Sequence, residues 1–187
     1  MPHEHAQRYL PTEDSIDRSP TSDLETCGVE DCTLLKLHKI IQVSMGWENV
    51  RMWRFEIDGE EYGDDVMDEV FEREFSSARK SKLSRFIEAG VKRFLYTYDF
   101  EDKWLHTIDV EKTLRGDPNV KYPRCVDGKR ACPPESCGGP WGYEKYLEAL
   151  ADPDIAEHEQ RLAWMDDEFD AEAFNLDAVN QKLAKVR

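Results

Sequence analysis

Long apolar segments are missing from this sequence of 187 residues. No run approaches the roughly 20 consecutive apolar residues that a membrane-spanning helix needs. Residues 1–18 also lack the apolar stretch of a secretory signal peptide. We therefore expect a cytoplasmic protein that does not cross a membrane and whose thiols stay reduced.

Positive charge is scarce. The chain has 25 Lys and Arg against 40 Asp and Glu, which gives a formal net charge of −15 at pH 7. Such an acidic surface repels phosphate backbones and anionic lipid headgroups, so direct binding to nucleic acid or to a membrane is not expected. The same acidity favours solubility and a protein partner with a basic surface.

Paired cysteines are also missing, since the sequence has five cysteines and no Cys-x-x-Cys pair. An odd number argues against a disulfide framework, and the spacing excludes a zinc ribbon or finger. Cys125, Cys132 and Cys137 nevertheless lie on one Pro- and Gly-rich segment. With His106 as a fourth ligand they are a candidate zinc site. The alternative is that the thiols are small buried groups that pack a rigid loop.

The apolar pattern predicts an α+β fold, with an antiparallel β-meander sheet packed against helices and a C-terminal helical segment. Leu34, Leu37, Ile41 and Met45 recur at helical spacing in a helix that begins near Thr33 and ends at Gly46. Alternating residues predict strands, and turn residues separate them. The expected strands are 51–57, 60–62, 91–98 and 104–111, the further helices are 82–89, 142–150, 155–165 and 176–186, and the expected loop is 118–140.

Residues 1–28 differ in composition from the rest of the chain. They hold three prolines and many acidic residues, without a sustained apolar period. Such a segment buries too little apolar surface to offset the entropy lost on ordering it, so we expect a disordered or loosely attached tail. Residues 29–187 are then expected to form a single domain.

Several motifs occur in a fixed order along the chain. They are Thr33-Leu34-Leu35-Lys36-Leu37-His38, Met45-Gly46-Trp47, Tyr96-Thr97-Tyr98-Asp99-Phe100, Tyr122-Pro123-Arg124-Cys125 and Trp141-Gly142-Tyr143. Together they resemble the plasmid pRiA4b ORF-3-like family over about residues 29–186. The resemblance implies an α+β domain associated with plasmids or insertion sequences, without an established activity, although one member is labelled a transposon resolvase. The chain departs from the family in lacking its opening Pro-Pro-x-Trp-Arg-Arg strand and in having Arg51 where His is common.

Asp99, Asp102 and His106 surround the turn of the predicted hairpin. Two carboxylates beside an imidazole are typical of a general base. The alternative is structural, with both carboxylates forming the turn and His106 facing an apolar layer. No nucleophile or phosphate-binding loop accompanies these residues.

Three functions remain open on these observations. The first is a noncatalytic protein-interaction module, since no complete catalytic constellation is visible. The second is a zinc-stabilised regulator that acts with a DNA-bound partner. The third is a recombination-linked or hydrolytic enzyme that uses Asp99, Asp102 and His106, although a net charge of −15 opposes DNA binding.

Overall fold

A computed structural model describes residues 3–10, 23–29, 32–64, 75–155, 158–159 and 169–186. Within these residues the strands are β1 (His3–Leu10), β2 (Asp23–Val29), β3 (Trp53–Ile57), β4 (Glu60–Gly63), β5 (Ser76–Ser77), β6 (Arg93–Tyr98), β7 (Trp104–Arg115) and β8 (Arg124–Lys129). They form one sheet in the order β5-β4-β3-β6-β7-β1-β2-β8. All neighbours are antiparallel except β4 and β5, which are parallel.

The helices of the described residues are α1 (Leu34–Met45), α2 (Leu83–Glu88), α3 (Gly139–Ala151) and α4 (Leu176–Leu183). None of them has the length and apolar character needed to cross a bilayer. The predicted α+β fold with a meander and a C-terminal helical segment is confirmed. The helix predicted at 155–165 falls mostly outside the described residues.

Helix α1 follows the sequence prediction closely. Thr33 precedes it, and its hydroxyl accepts a hydrogen bond from the Lys36 N–H at 3.2 Å. Gly46 ends it with a φ of 76°, a left-handed conformation in which glycine has no Cβ clash. The predicted stripe is buried, and His38 on the same face stacks on Trp53 of β3. This contact sets α1 against the face of the sheet that carries the site.

The β6–β7 hairpin also forms as predicted. Tyr96 lies opposite His106 and Tyr98 lies opposite Trp104. Phe94, Tyr96 and Tyr98 are buried on one face, as strand alternation requires. These rings supply much of the core beneath α1.

Within residues 1–28, for which the sequence predicts a disordered or loosely attached tail, the structure describes strands β1 and β2, and the domain boundary stays a prediction. Strand β1 pairs with β7 over eight residue pairs, and β2 lies between β1 and β8. Strand pairing uses backbone N–H and C=O groups, so it requires no apolar period in the strand that is added. The added pair covers an edge that the long strand β7 would otherwise expose.

The predicted loop 118–140 contains a strand, and this part of the prediction was wrong. Strand β8 pairs with β2, whose own sequence carried no strand signal. The side-chain amide of Asn180 in α4 accepts a hydrogen bond from the Cys125 N–H at 2.8 Å and donates one to the Cys125 carbonyl at 3.0 Å. Helix α4 thus satisfies the backbone of β8, and neither contact is local in sequence.

Candidate functional site

Asp99 directly follows β6, at the start of the hairpin turn. It has a φ of 55° and is 4% exposed. Its Oδ1 accepts from the N–H groups of Glu101 at 3.0 Å and Asp102 at 3.2 Å. Its Oδ2 lies 3.4 Å from Arg51 Nε. Both carboxylate oxygens therefore hold the turn and the adjoining loop.

Asp102 lies beside Asp99 and connects the turn to α3. The backbone N–H of Gly139 donates a hydrogen bond to it. A side chain at Gly139 is excluded, because an added Cβ would stand 2.5 Å from the Asp102 carbonyl oxygen. Burial and the neighbouring Asp99 charge raise the pKa of Asp102, against the influence of Arg51. The two carboxylates are brought together as predicted.

His106 does not join these two carboxylates. Within the described residues its Nε2 is buried and has no hydrogen-bond partner. Its neighbours are aromatic, with the ring centroids of Trp47 at 5.5 Å and Tyr96 at 5.6 Å. Desolvation alone lowers the pKa of His106 to about 4, without any carboxylate contribution. The arrangement therefore lacks the oriented imidazole that a carboxylate-assisted general base requires.

His38, on the buried face of α1, lies in the middle of a hydrogen-bond chain. Gln42 Nε2 donates to the Tyr96 hydroxyl at 2.9 Å, which lies 2.8 Å from His38 Nδ1. His38 Nε2 lies 2.7 Å from the amide oxygen of Asn49. Since an amide oxygen only accepts, Nε2 carries the proton and Nδ1 accepts from Tyr96. Burial lowers the pKa of His38 to about 3, so its ring is neutral.

Tyr98 and Glu135 hold the loop between α1 and β3. The Tyr98 hydroxyl accepts hydrogen bonds from the N–H groups of Val50 at 3.1 Å and Arg51 at 3.2 Å, and it donates one to Glu135. The second Glu135 oxygen accepts from the Glu48 N–H at 2.6 Å. Burial and the Glu135 hydrogen bond raise the pKa of Tyr98. The sequence did not indicate Glu135 or Asn49, because no local pattern marks a hydrogen-bond partner that lies far along the chain.

A cleft of about 360 Å³ opens above this network. Among the described residues, three of its lining side chains are cationic, Lys39, Arg51 and Arg79, and one is a carboxylate, Asp64. The remaining lining residues are Leu35, His38, Asn49, Val50, Met52 and Trp53. Arg79 contributes to this cleft, whereas Arg93 pairs with Asp109 at 2.7 Å.

The three cysteines of the predicted zinc site make separate contacts. The Cys125 thiol donates to the Asp127 carbonyl at 3.1 Å, and Cys132 Sγ lies 3.4 Å from Met45 Sδ. Cys137 Sγ lies 3.9 Å from the Gly139 carbonyl, and burial raises the pKa of Cys137 to about 11. Among the described residues no three His, Cys, Asp or Glu side chains are placed to hold a metal ion. The structure thus does not gather these residues with His106, and the zinc site stays a prediction.

Comparisons with known proteins agree with this fold. The chain is 35% identical over 156 residues to the uncharacterized protein y4hQ of Sinorhizobium fredii (strain NBRC 101917 / NGR234). The matched segment covers 79% of this chain and 76% of that protein. It is similar to the crystal structure of the protein of unknown function MM3350 from Methanosarcina mazei Go1, with a TM-score of 0.83 and 33% identity. That match covers 95% of this chain and 97% of the other. The sequence profile described as plasmid pRiA4b ORF-3-like protein matches residues 28–178, and the chain therefore belongs to that family.

Proposed function

We propose that this chain is a noncatalytic protein-interaction module and that Trp141 anchors its contact surface. The observation that carries the proposal is the exposure of this side chain. Trp141 is 70% exposed, whereas the other tryptophans of the described residues, Trp47, Trp53 and Trp104, are 4–7% exposed. A large aromatic side chain left in solvent is the residue type that most often dominates a protein interface.

Trp141 stands on a rigid support. It lies in the first turn of α3, whose Tyr143 and Tyr146 are buried against Phe169. An added Cβ at Gly142 would stand 2.0 Å from the Cys137 carbonyl oxygen, so the helix start packs closely on the preceding loop. A side chain held on a fixed helix loses little conformational entropy on binding, which favours affinity.

The noncatalytic part of the proposal draws on the predicted hairpin residues. Asp99 is used by the turn and by Arg51, and His106 contacts aromatic rings without a carboxylate partner. Neither group has the hydrogen-bond geometry of an acid–base pair. These contacts disfavour the enzyme hypothesis and leave the interaction module as the better-supported function.

Charge indicates the chemistry of the partner. At −15 the chain associates most readily with a protein that presents a basic surface around an apolar pocket for the indole. The family description names a plasmid protein, so proteins of a mobile element are the natural candidates for the partner.

The test compares two exposed apolar residues. Trp141→Ser and the matched control Val50→Ser both remove an exposed apolar side chain, Val50 being 67% exposed. A photoreactive crosslinker is placed at Lys145, whose ammonium lies 6.0 Å from the Trp141 ring centre. We expect a partner that is crosslinked by wild type and by Val50→Ser, and that binds Trp141→Ser about 30-fold more weakly once purified.

Equal affinity of wild type and Trp141→Ser for that partner would contradict the proposed anchor. Unchanged melting temperatures in both variants are required for the comparison, and we expect them because neither side chain is buried. Turnover of a substrate that depends on Asp99 or His106 would contradict the noncatalytic assignment.

A further inference from the structure

The structure assigns a second binding site to this chain, independent of Trp141. We infer that the cleft lined by Lys39, Arg51 and Arg79 binds a small organic phosphate monoester. Trp141 is not among its lining residues, so this inference does not rest on the proposed interaction surface.

The cleft is lined by positively charged side chains. The protein has 40 acidic residues, yet the described residues that line this cleft include three cations and one carboxylate. Within the described residues neither Lys39 nor Arg79 forms an ion pair with a carboxylate. Like charges that share one concave surface repel each other, and a bound anion relieves that repulsion. Asp99 partly neutralises Arg51, so the excess positive charge of the described lining comes from Lys39 and Arg79 against Asp64, and it favours an anion.

The second argument is the orientation of Arg51. Its Nε lies 3.4 Å from the buried carboxylate of Asp99, which fixes the position of the guanidinium group. Its terminal amino groups make no hydrogen bond within the described residues, and its side chain is 44% exposed. A tethered guanidinium with free terminal donors is suited to a phosphate, whose oxygens accept two parallel hydrogen bonds.

The third argument comes from the His38 chain. The amide oxygen of Asn49 faces His38 Nε2 at 2.7 Å, so its amide nitrogen is left to donate elsewhere. Its Nδ2 donors make no hydrogen bond within the described residues, and Asn49 lines the cleft. The neutral wall beside the cations therefore offers donors to a ligand, as an anion requires.

The fourth argument is size. A cleft of about 360 Å³ lies at the small end of the range for organic ligands, about 300–1,000 Å³, and exceeds what a phosphate ion fills. Leu35, Val50, Met52 and Trp53 add apolar surface to its lining. The occupant we infer has a phosphate group against the three cations and an organic group against these side chains.

The test is calorimetric titration of the full chain with adenosine monophosphate, glucose 6-phosphate, inorganic phosphate and adenosine. We expect at least one of the two monoesters to bind with a Kd below about 1 mM and more tightly than inorganic phosphate. Adenosine, which has no phosphate, should bind more weakly than the monophosphate. Binding should weaken as salt is added, because the cations are exposed.

Variants locate the binding. Lys39→Gln and Arg79→Gln should each weaken monoester binding about tenfold. Lys80→Gln is the matched control, because Lys80 is an exposed neighbour that does not line the cleft. Ligand-free Lys39→Gln and Arg79→Gln should melt no lower than wild type, because each removes a repelling charge.

Three results of these titrations would overturn the inference. They are the absence of binding by both monoesters, an equal loss in Lys80→Gln, and equal affinity for adenosine and its monophosphate. Binding of a phosphoserine peptide without either monoester would also overturn it, since the ligand would then be a phosphorylated protein.

Discussion

Two histidines contact Tyr96, and their surroundings differ in kind. The His38 ring uses both nitrogens, one with Tyr96 and one with Asn49, and stacks on Trp53 with ring centroids 3.9 Å apart. His106 is half-buried beside the rings of Trp47 and Tyr96, and its buried Nε2 has no hydrogen-bond partner within the described residues. Burial lowers the pKa of both, to about 3 for His38 and about 4 for His106.

The two sets of contacts have opposite effects on the free energy of unfolding. A buried imidazole with satisfied nitrogens stabilises the fold, because removing it leaves its partners unpaired. A buried imidazole with an unpaired nitrogen lowers stability, because the lost contact with water is not replaced. The shared direction of the two pKa shifts hides this difference, which only the hydrogen bonds reveal.

The largest expected effect is that of His38→Ala. It opens a cavity beside Trp53 and leaves the Tyr96 hydroxyl without its acceptor, so we expect a loss of about 4 kcal/mol in the free energy of unfolding. Urea unfolding measures it. The double variant His38→Ala/Tyr96→Phe should lose less stability than the sum of the losses in the two single variants. Strict additivity would show that the inferred hydrogen-bond chain does not couple them.

The next largest effect is expected when the pH is lowered. Both histidines have a folded-state pKa below the unfolded value of about 6.5, so below that pH the unfolded chain binds protons that the folded chain does not. The free energy of unfolding should therefore fall as pH drops from about 7 towards 4, with a slope for each histidine that approaches about 1.4 kcal/mol per pH unit well below pH 6.5. At pH 6.5 the slope is about half that value, and it fades about one pH unit higher, where the unfolded chain has also lost its proton.

The contribution of His106 to that slope is isolated by His106→Phe, which removes one titrating ring. Asp102, whose pKa is raised, acts in the opposite direction and is common to both proteins. The slope of His106→Phe between pH 6 and 5 should be smaller than that of wild type by about 1.4 kcal/mol per pH unit. Identical slopes would mean that His106 is not buried as a neutral ring.

A smaller effect is expected from the same variant at pH 7. His106→Phe replaces an unpaired nitrogen by carbon in an aromatic environment, and we expect a gain of about 1 kcal/mol. Urea unfolding at pH 7 gives the value. A loss of more than about 1 kcal/mol would show that Nε2 has a partner in solution.

The smallest effect is expected from chelation. A metal ion on Nε2 would reverse the contrast between the two histidines and would restore the zinc hypothesis for Cys125, Cys132 and Cys137. Because the three thiols make separate contacts, we expect no change in melting temperature after chelation of the tag-free protein. One zinc per chain by elemental analysis, with lower melting after chelation and metal loss in Cys132→Ser, would contradict this expectation.

Regular elements were predictable where the signal was local. Helix α1 carries its own cap, stripe and terminating glycine, and the β6–β7 hairpin carries its own alternation and turn. The site was predictable in part, since Asp99 and Asp102 do meet at the turn. His106 was grouped with them by its position along the chain, yet strand pairing places it opposite Tyr96.

By itself the sequence determined the acidic charge, the α+β class and the family motifs. The charge follows from composition, and the apolar period and the motifs are local, each contained in a short stretch of the chain. The tertiary structure decided the pairing of β1, β2 and β8, the partners of each histidine, and the meeting of Lys39, Arg51 and Arg79 around one cleft. These contacts join residues that are distant in sequence, through backbone groups and side-chain polar atoms that leave no periodic signal. Packing therefore determines which of the polar residues find partners.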